Sequence, residues 1–247
     1  IGKKTLHMKY DPARYLVGGF APNDGTVDFY LRVRSLTDTR STVLDLGAGR
    51  AAWFSDDPSA TRKKLRNLKG EVAKLIAADI DDAVLSNRAC DEQHLMINGV
   101  LQLEPSSVDV VIADFVLEHI DDPEDFFSQV DMCLKPGGWL CARTPHKFSY
   151  VSLIAMLIKN SAHARVLRVI QPHRKEIDVF PTRYRLNTLR DVKNTFDGWR
   201  NDSFIFRTEP AYFFGSRWVF YVQSFLHRVL PVIFSGNLFV FVQKPRD

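Results

Sequence analysis

From residue 41 to residue 143, short apolar runs alternate with glycine-marked turns and helical stretches, a rhythm that a parallel sheet covered on both faces satisfies. The runs are 42–46, 74–79, 94–97, 108–114 and 138–143. Each is brief and mostly apolar, as strands buried on both faces are. The stretch between the fourth and fifth runs reads as a helix. Asp122 can cap it, Pro123 suits its first turn, and Glu124 and Asp125 complement its dipole. Phe126, Phe127, Val130, Cys133 and Leu134 recur at helical spacing, and Lys135-Pro136-Gly137-Gly138 stops it.

Beyond Pro145 the texture changes. Residues 150–170 read as one or two amphipathic helices, and 171–185 as a polar, basic segment. Thr188 and Asp191 form a capping-box pattern that opens a helix ending near Asp197-Gly198. Runs 203–207 and 238–242 read as a closing strand pair, with a helix over 218–233 between them. The expected fold class is α/β: a Rossmann-like three-layer sandwich with a mostly parallel seven-stranded sheet and a C-terminal helical insertion. No Gly-, Ser- or Pro-rich linker divides the 247 residues, so one domain is expected.

Composition narrows the function. A net charge of +4, from 33 Lys and Arg against 29 Asp and Glu, does not make a polycation, and no nucleic-acid footprint is expected. Cys90, Cys133 and Cys141 are too few and scattered for a disulfide framework or a zinc knuckle, and read as buried thiols in a reducing, cytoplasmic setting. The histidines have no metal-like spacing, so no metal is expected. The N-terminal Ile1-Gly2-Lys3-Lys4 leads into no apolar run of the kind a signal peptide has, and residues 229–243 are too short to span a bilayer.

The segment Val43-Leu44-Asp45-Leu46-Gly47-Ala48-Gly49-Arg50-Ala51-Ala52 carries the chemistry. A strand enters a turn whose glycines let the backbone approach a ligand, and a helix N-terminus follows. A pyrophosphate placed there would be repelled by Asp45. A cationic, phosphate-free cofactor would tolerate that acid, and S-adenosyl-L-methionine fits the description. With Asp45 in view, the segment resembles motif I of the class I S-adenosylmethionine-dependent methyltransferases. The resemblance extends to Ala78-Asp79-Ile80, Ser107-Val108-Asp109-Val110-Val111, Leu117-Glu118-His119-Ile120-Asp121-Asp122-Pro123 and Leu134-Lys135-Pro136-Gly137-Gly138. Five ordered motifs are far more specific than one glycine turn.

That resemblance implies a site. Asp45, Gly47, Ala48 and Gly49 would form the cofactor turn, and Asp79 would accept from the ribose hydroxyls, with Ile80 on the adenine face. Asn98 would meet the adenine amino group, and Asp114 or Phe115 would wall the methionine end. His119 is the first candidate base and His146 the second; the plainer reading of the Glu118-His119 pair is the floor of the cofactor pocket. Residues 1–41 would then be an N-terminal cap, 42–145 the cofactor-binding core, 146–200 a helical and basic insertion on the acceptor side, and 201–247 the closing strands with an apolar helix. Two departures stand out: residues 56–70 look like an insertion, and Ala51 replaces a third glycine.

Three specialised acceptor signatures are missing: a Pro-Cys nucleophile, an Asp/Asn-Pro-Pro-aromatic stretch and a metal-binding Asp-Asn pair after the fifth strand. The implied activity is transfer of a methyl group to a small-molecule, glycan or lipid-linked acceptor, with oxygen the favoured atom. Arg174, Lys175, Arg183 and Arg185 could meet an anionic group on it, or simply be solvated. The basic run Arg62 to Lys69 reads as a solvated helix face. The aromatic helix from Trp218 reads as packed on the last strands, with a membrane-peripheral face as the alternative. Two rival functions are a non-catalytic methyltransferase-like subunit that binds a partner through that helix, and a nicotinamide dehydrogenase, against which Asp45 and Ala51 speak.

Overall fold

The computed structural model describes residues 10–11, 15–157, 181–210 and 213–246. Its strands are β1 (Thr42–Leu46), β2 (Lys74–Asp79), β3 (Glu92–Leu95), β4 (Val108–Asp114), β5 (Leu134–Pro145), β6 (Arg200–Asn201), β7 (Phe204–Arg207) and β8 (Gly236–Gln243). Its helices are α1 (Gly25–Ser35), α2 (Ala52–Asp56), α3 (Ala60–Arg66), α4 (Pro123–Cys133), α5 (Tyr150–Leu157), α6 (Leu189–Thr195) and α7 (Arg217–Val229).

The sheet runs in the order 3-2-1-4-5-8, and β6 and β7 share the outer edge of β8. They are two pieces of one edge position, so the sheet is seven strands wide. Strands β1 to β5 are parallel, and β8 is antiparallel to β5. The expected Rossmann-like α/β class and closing strand pair are therefore present. The third run lies two residues earlier than its apolar residues suggested. The fifth is longer, because the chain passes from α4 straight into β5 and resumes pairing after a register shift between Val108 and Val110.

Strand periodicity sorts the core into two layers. Leu44, Leu46, Val111, Ala113 and Leu140 face α4 and α6, where they meet Phe126, Val130, Val192 and Phe196. Val43, Ala77, Val110, Ile112 and Cys141 face the other way, against Phe29, Tyr30 and Val33 of α1. Cys90, Cys133 and Cys141 are free buried thiols, as the sequence led us to expect. The N-terminal part is more than a cap over the sheet: α1, opened by the Asp24 carboxylate accepting from Thr26 N and Val27 N, supplies one covering layer. Of the expected helices over 150–170, only α5 falls within the described residues. No described helix is long and apolar enough to cross a membrane.

The basic run Arg62 to Lys69 is solvated only in part: Lys64 and Lys69 are exposed, and Arg62 and Arg66 are not. Arg62 is paired with Asp24 at 2.9 Å and Asp57 at 2.8 Å, and Arg66 reaches Asp114 at 3.2 Å. Arginines four apart share one face of α3, and that face is turned inward.

Phe239 is fully buried on β8, stacked on Phe206 and edge-on to Phe29. Phe239→Ala should destabilise the protein by about 3–5 kcal/mol, read as a lower midpoint in chemical denaturation.

Candidate functional site

The strand order reverses at β1, whose neighbours β2 and β4 lead to opposite halves of the sheet. A crevice opens at the carboxyl ends of the strands at such a switch point. Here it is a cavity of about 920 Å³, walled by the turns after β1, β2, β3 and β4 and by the first two turns of α4. That volume suits a nucleoside-sized ligand.

The turn after β1 is shaped by backbone geometry. Gly47 has φ of 71° and Gly49 φ of 48°, a region that favours glycine. Gly47 N and Ala48 N donate to the carbonyl of Ala78, at 2.7 and 3.3 Å, which ties the turn to the end of β2. Asp79 completes the tie. One carboxylate oxygen accepts from Gly49 N at 2.8 Å and the other from Asp81 N at 2.9 Å. A carboxylate has about four acceptor positions, so both oxygens keep capacity for a ligand's hydroxyl groups.

Asp114 sits where β4 ends and is almost wholly buried. It accepts from Tyr30 Oη at 3.1 Å, from Arg66 Nη2 at 3.2 Å and from Arg143 Nη2 at 3.0 Å, and Arg143 Nε adds a second contact. Burial alone would raise its pKa, but the guanidinium groups of Arg143 and Arg66 hold it below the usual carboxylate range. Asp45 lies on the same side of the sheet, with no guanidinium paired to it among the described residues. Burial pushes its carboxyl up to about 7, with the charges of Asp114 and Asp79 adding and Arg66 opposing.

Past Asp114, Phe115 takes a left-handed conformation, with φ of 60°, and presents its ring to the cavity over the Arg143 guanidinium, at 4.8 Å. Glu118 is buried and accepts from Thr144 Oγ1 at 2.7 Å, which in turn accepts from Asn187 at 2.6 Å. This chain pins the loop after β4 to the end of β5. His119 Nδ1 lies 2.9 Å from the carbonyl of Pro181. A carbonyl can only accept, so in the neutral ring the proton is on Nδ1 and the lone pair on Nε2.

Among the residues singled out from the sequence, the cavity wall brings together Gly47, Ala48, Gly49, Asp79, Ile80, Asp114, Phe115 and His119. Asp45, Asn98 and His146 lie outside it. Asn98 occupies a left-handed turn position, with φ of 55°, and its side chain is exposed while Met96 and Gly99 line the wall. His146 is buried beside Phe148, accepting from its backbone N–H at 3.3 Å, and burial lowers its pKa.

Among the wall residues to which sequence reasoning assigned no part in the site are Arg66, Trp53 and Asp125. Arg66 lies 4.8 Å from the Trp53 ring, and its buried Nε has no hydrogen-bond partner among the described residues. The i, i+4 spacing of Arg62 and Arg66 was the available signal. Of the cluster read as either meeting an anionic acceptor or simply solvated, Arg174 and Lys175 lie outside the described residues, and Arg183 and Arg185 are exposed and both pair with Asp121, at 3.7 and 3.1 Å. Carboxylates outnumber cations on the wall seven to three, which favours a cationic ligand over a polyphosphate.

Comparison with known proteins agrees with this geometry. A family described as a methyltransferase domain matches residues 23–188. A ubiquinone biosynthesis O-methyltransferase of Cupriavidus pinatubonensis is 26% identical over 115 residues, 47% of this chain and 45% of that protein. One of Paraburkholderia xenovorans is 26% identical over 102 residues, covering 41% and 43% of the two chains. The matched part thus spans less than half the length of these relatives. Among solved structures, a SAM-dependent methyltransferase from Archaeoglobus fulgidus superposes with a TM-score of 0.51 at 20% identity, over 88% of this chain and 92% of that one. An S-adenosylmethionine-dependent methyltransferase from Mesorhizobium loti gives 0.52 at 13% identity, over 89% and 99%. At these identities the structural likeness establishes the fold.

A Cβ built on Gly47 would lie 2.4 Å from Val116 Cγ2, in a backbone region hostile to side chains. Gly47→Ala should cost about 1–3 kcal/mol of stability. Adding Val116→Ala should restore only part of it, since the clash is relieved and the backbone strain is not; thermal melts of the three variants check this.

Proposed function

The chain belongs to the class I S-adenosylmethionine-dependent methyltransferases, and from that premise we propose that it transfers the donor's methyl group to a hydroxyl oxygen of a small-molecule, glycan or lipid-linked acceptor. The observation that carries the reading is the Gly47–Gly49 turn clasped by Asp79 beside a predominantly acidic cavity. S-adenosylmethionine supplies an electrophilic methyl group on a sulfonium, and the protein's contribution is alignment and exclusion of water.

The residues fit that cofactor. Asp79 retains acceptor capacity for ribose hydroxyls, and Ile80 and Met96 offer apolar surface for the base. The Nε of Arg66, without a partner among the described residues, is a buried donor on the wall, suited to the donor's carboxylate. Asp45 acts through its charge, from behind the turn. Oxygen is favoured as acceptor for two reasons. His119 holds its lone pair on Nε2, as a base for a hydroxyl proton requires. The curated relatives that match part of the chain are named as O-methyltransferases.

Calorimetric titration with S-adenosylhomocysteine tests the premise of a working site, and the absence of binding at high ligand excess would overturn it. His119→Ala should leave that affinity nearly unchanged and lower methyl transfer by about 10²–10⁴-fold. The readout is incorporation of labelled methyl groups into a hydroxylated acceptor pool as base-stable methyl ethers.

Asp45 predicts a pH dependence. Burial raises its carboxyl pKa to about 7, whereas a bound cation favours the ionised form. Donor affinity should therefore fall as pH drops below 7, by up to about tenfold per unit. Asp45→Asn should flatten the profile between pH 6 and 8; an unaltered profile would remove Asp45 from the site.

A further inference from the structure

The helix α7 is amphipathic in the reverse sense from a core helix. Its outward stripe is Trp218, Tyr221, Val222, Phe225, Leu226 and Val229, recurring at i, i+3, i+4, i+7, i+8 and i+11. Trp218 is 77% exposed, Phe225 63% and Val229 58%. Its inward face carries Gln223, Ser224 and His227 beside Phe220, and His227 Nδ1 donates to the carbonyl of Thr208 at 2.8 Å. Helix α5 repeats the inversion: Ser152 is fully buried while Leu153, Ile154 and Met156 are exposed. The two helices touch through their inward sides, with the Tyr150 and His227 rings 5.6 Å apart. Toward the end of β7 the helix turns its polar side, not the apolar stripe that the sequence led us to expect there, while Phe220 packs on Tyr10 and Phe213.

A solvated helix would present the opposite face, and an apolar patch of this kind marks a surface that is covered in use. Charge indicates the cover. No Asp or Glu occurs in residues 144–175 or 210–246, the stretches that contain α5 and α7, whereas Lys147, Arg217 and Arg228 flank the patch. The Arg217 guanidinium lies 5.5 Å from the Tyr221 ring, and Arg207 donates to the carbonyl of Arg228 at the end of α7. An aromatic and aliphatic stripe flanked by arginines, with no acid in these stretches, complements an anionic lipid surface.

Topology places the patch. Arg207 pairs with Gly236 and Pro145 with Asn237, so β7, β8 and β5 all meet α5 and α7 at one end of the sheet. It is the end at which β1, β2 and β4 deliver their turns to the cleft. We propose that α5 and α7 seat the protein on an anionic membrane surface, with their apolar stripe in the interfacial layer, on the side from which the cleft is reached. The inference stands independently of the acceptor's identity and of catalysis.

Flotation with vesicles tests it, using phosphatidylcholine alone and phosphatidylcholine mixed with phosphatidylglycerol. The protein should float with the mixed vesicles, less so as salt is raised, and little with the neutral ones. Trp218→Ser with Phe225→Ser should reduce the bound fraction about tenfold or more, with an unchanged melting temperature and unchanged S-adenosylhomocysteine affinity. Arg217→Gln with Arg228→Gln should weaken binding to the mixed vesicles alone. The emission of Trp218 should shift to the blue on vesicle addition, and Trp218→Phe should abolish the shift while the protein still floats. Failure to float with either vesicle would overturn the proposal, as would flotation unaffected by the apolar substitutions. A dimer that those substitutions dissolve, in a protein that does not float, would assign the face to a second copy of the chain. If S-adenosylhomocysteine fails to bind while flotation succeeds, the catalytic reading falls and this one stands.

Discussion

One carboxylate organises the cleft half of the molecule. Asp114 ends β4 and is shared by Arg143 of β5, Arg66 of α3 and Tyr30 of α1, so four elements meet at a single buried charge. An unpaired carboxylate there would be prohibitively desolvated, and each partner is therefore held in place by the cost of leaving. Burial raises the Tyr30 hydroxyl well above its usual pKa, with the Asp114 charge adding, so it stays a donor across physiological pH. Arg143 extends the knot to Thr26 at 2.9 Å and stacks under Phe115. The outer helices thus fix the floor of the cavity through electrostatics as much as through packing.

With that floor fixed, the turn after β1 has little freedom. Its amides are used by the Ala78 carbonyl and the Asp79 carboxylate. The turn's shape is set by hydrogen bonds within the protein, and such preorganisation lowers the cost of binding. On the opposite wall, Glu118, Thr144 and Asn187 form a second buried chain. Arg183 N and Tyr184 N also donate to the Glu118 carbonyl, bringing the segment after residue 180 over the cleft. The Glu118-His119 pair therefore has two functions on one short turn: Glu118 braces the wall, and His119 faces the cavity.

The two ends of the sheet order have different characters. Over β3, β2, β1 and β4 lies the cleft, whose wall carries seven carboxylates. Past β5 and β8, helices α5 and α7 turn their apolar residues outward while serine, glutamine and histidine face in. The apolar face adjoins the end of the sheet that carries the cleft, so a surface that covers it also borders the approach to the site.

The alternation of apolar runs and glycine turns was sufficient for the α/β class, the bounds of β1, β2 and β4, and the caps of α4 and α6, because these depend on near neighbours along the chain. The glycines of the turn, Asp79 and the loop after β4 were legible for the same reason. Other features depended on which surface a side chain meets after folding. In the run Arg62 to Lys69, Arg62 and Arg66 read as solvated until Asp24, Asp57 and Asp114 come to them from distant positions. Periodicity marks α7 as two-faced, and cannot say which face is inward. That is decided by the ends of β7 and β8, where the Thr208 carbonyl receives His227 and leaves the tryptophan outside. The sequence by itself determined the sheet, the turn and the acid that leads it, since local backbone preference and hydrophobic period dictate them. Only the tertiary structure decided which charges are buried together and which apolar face is left in the open, because both depend on contacts between residues far apart in the chain.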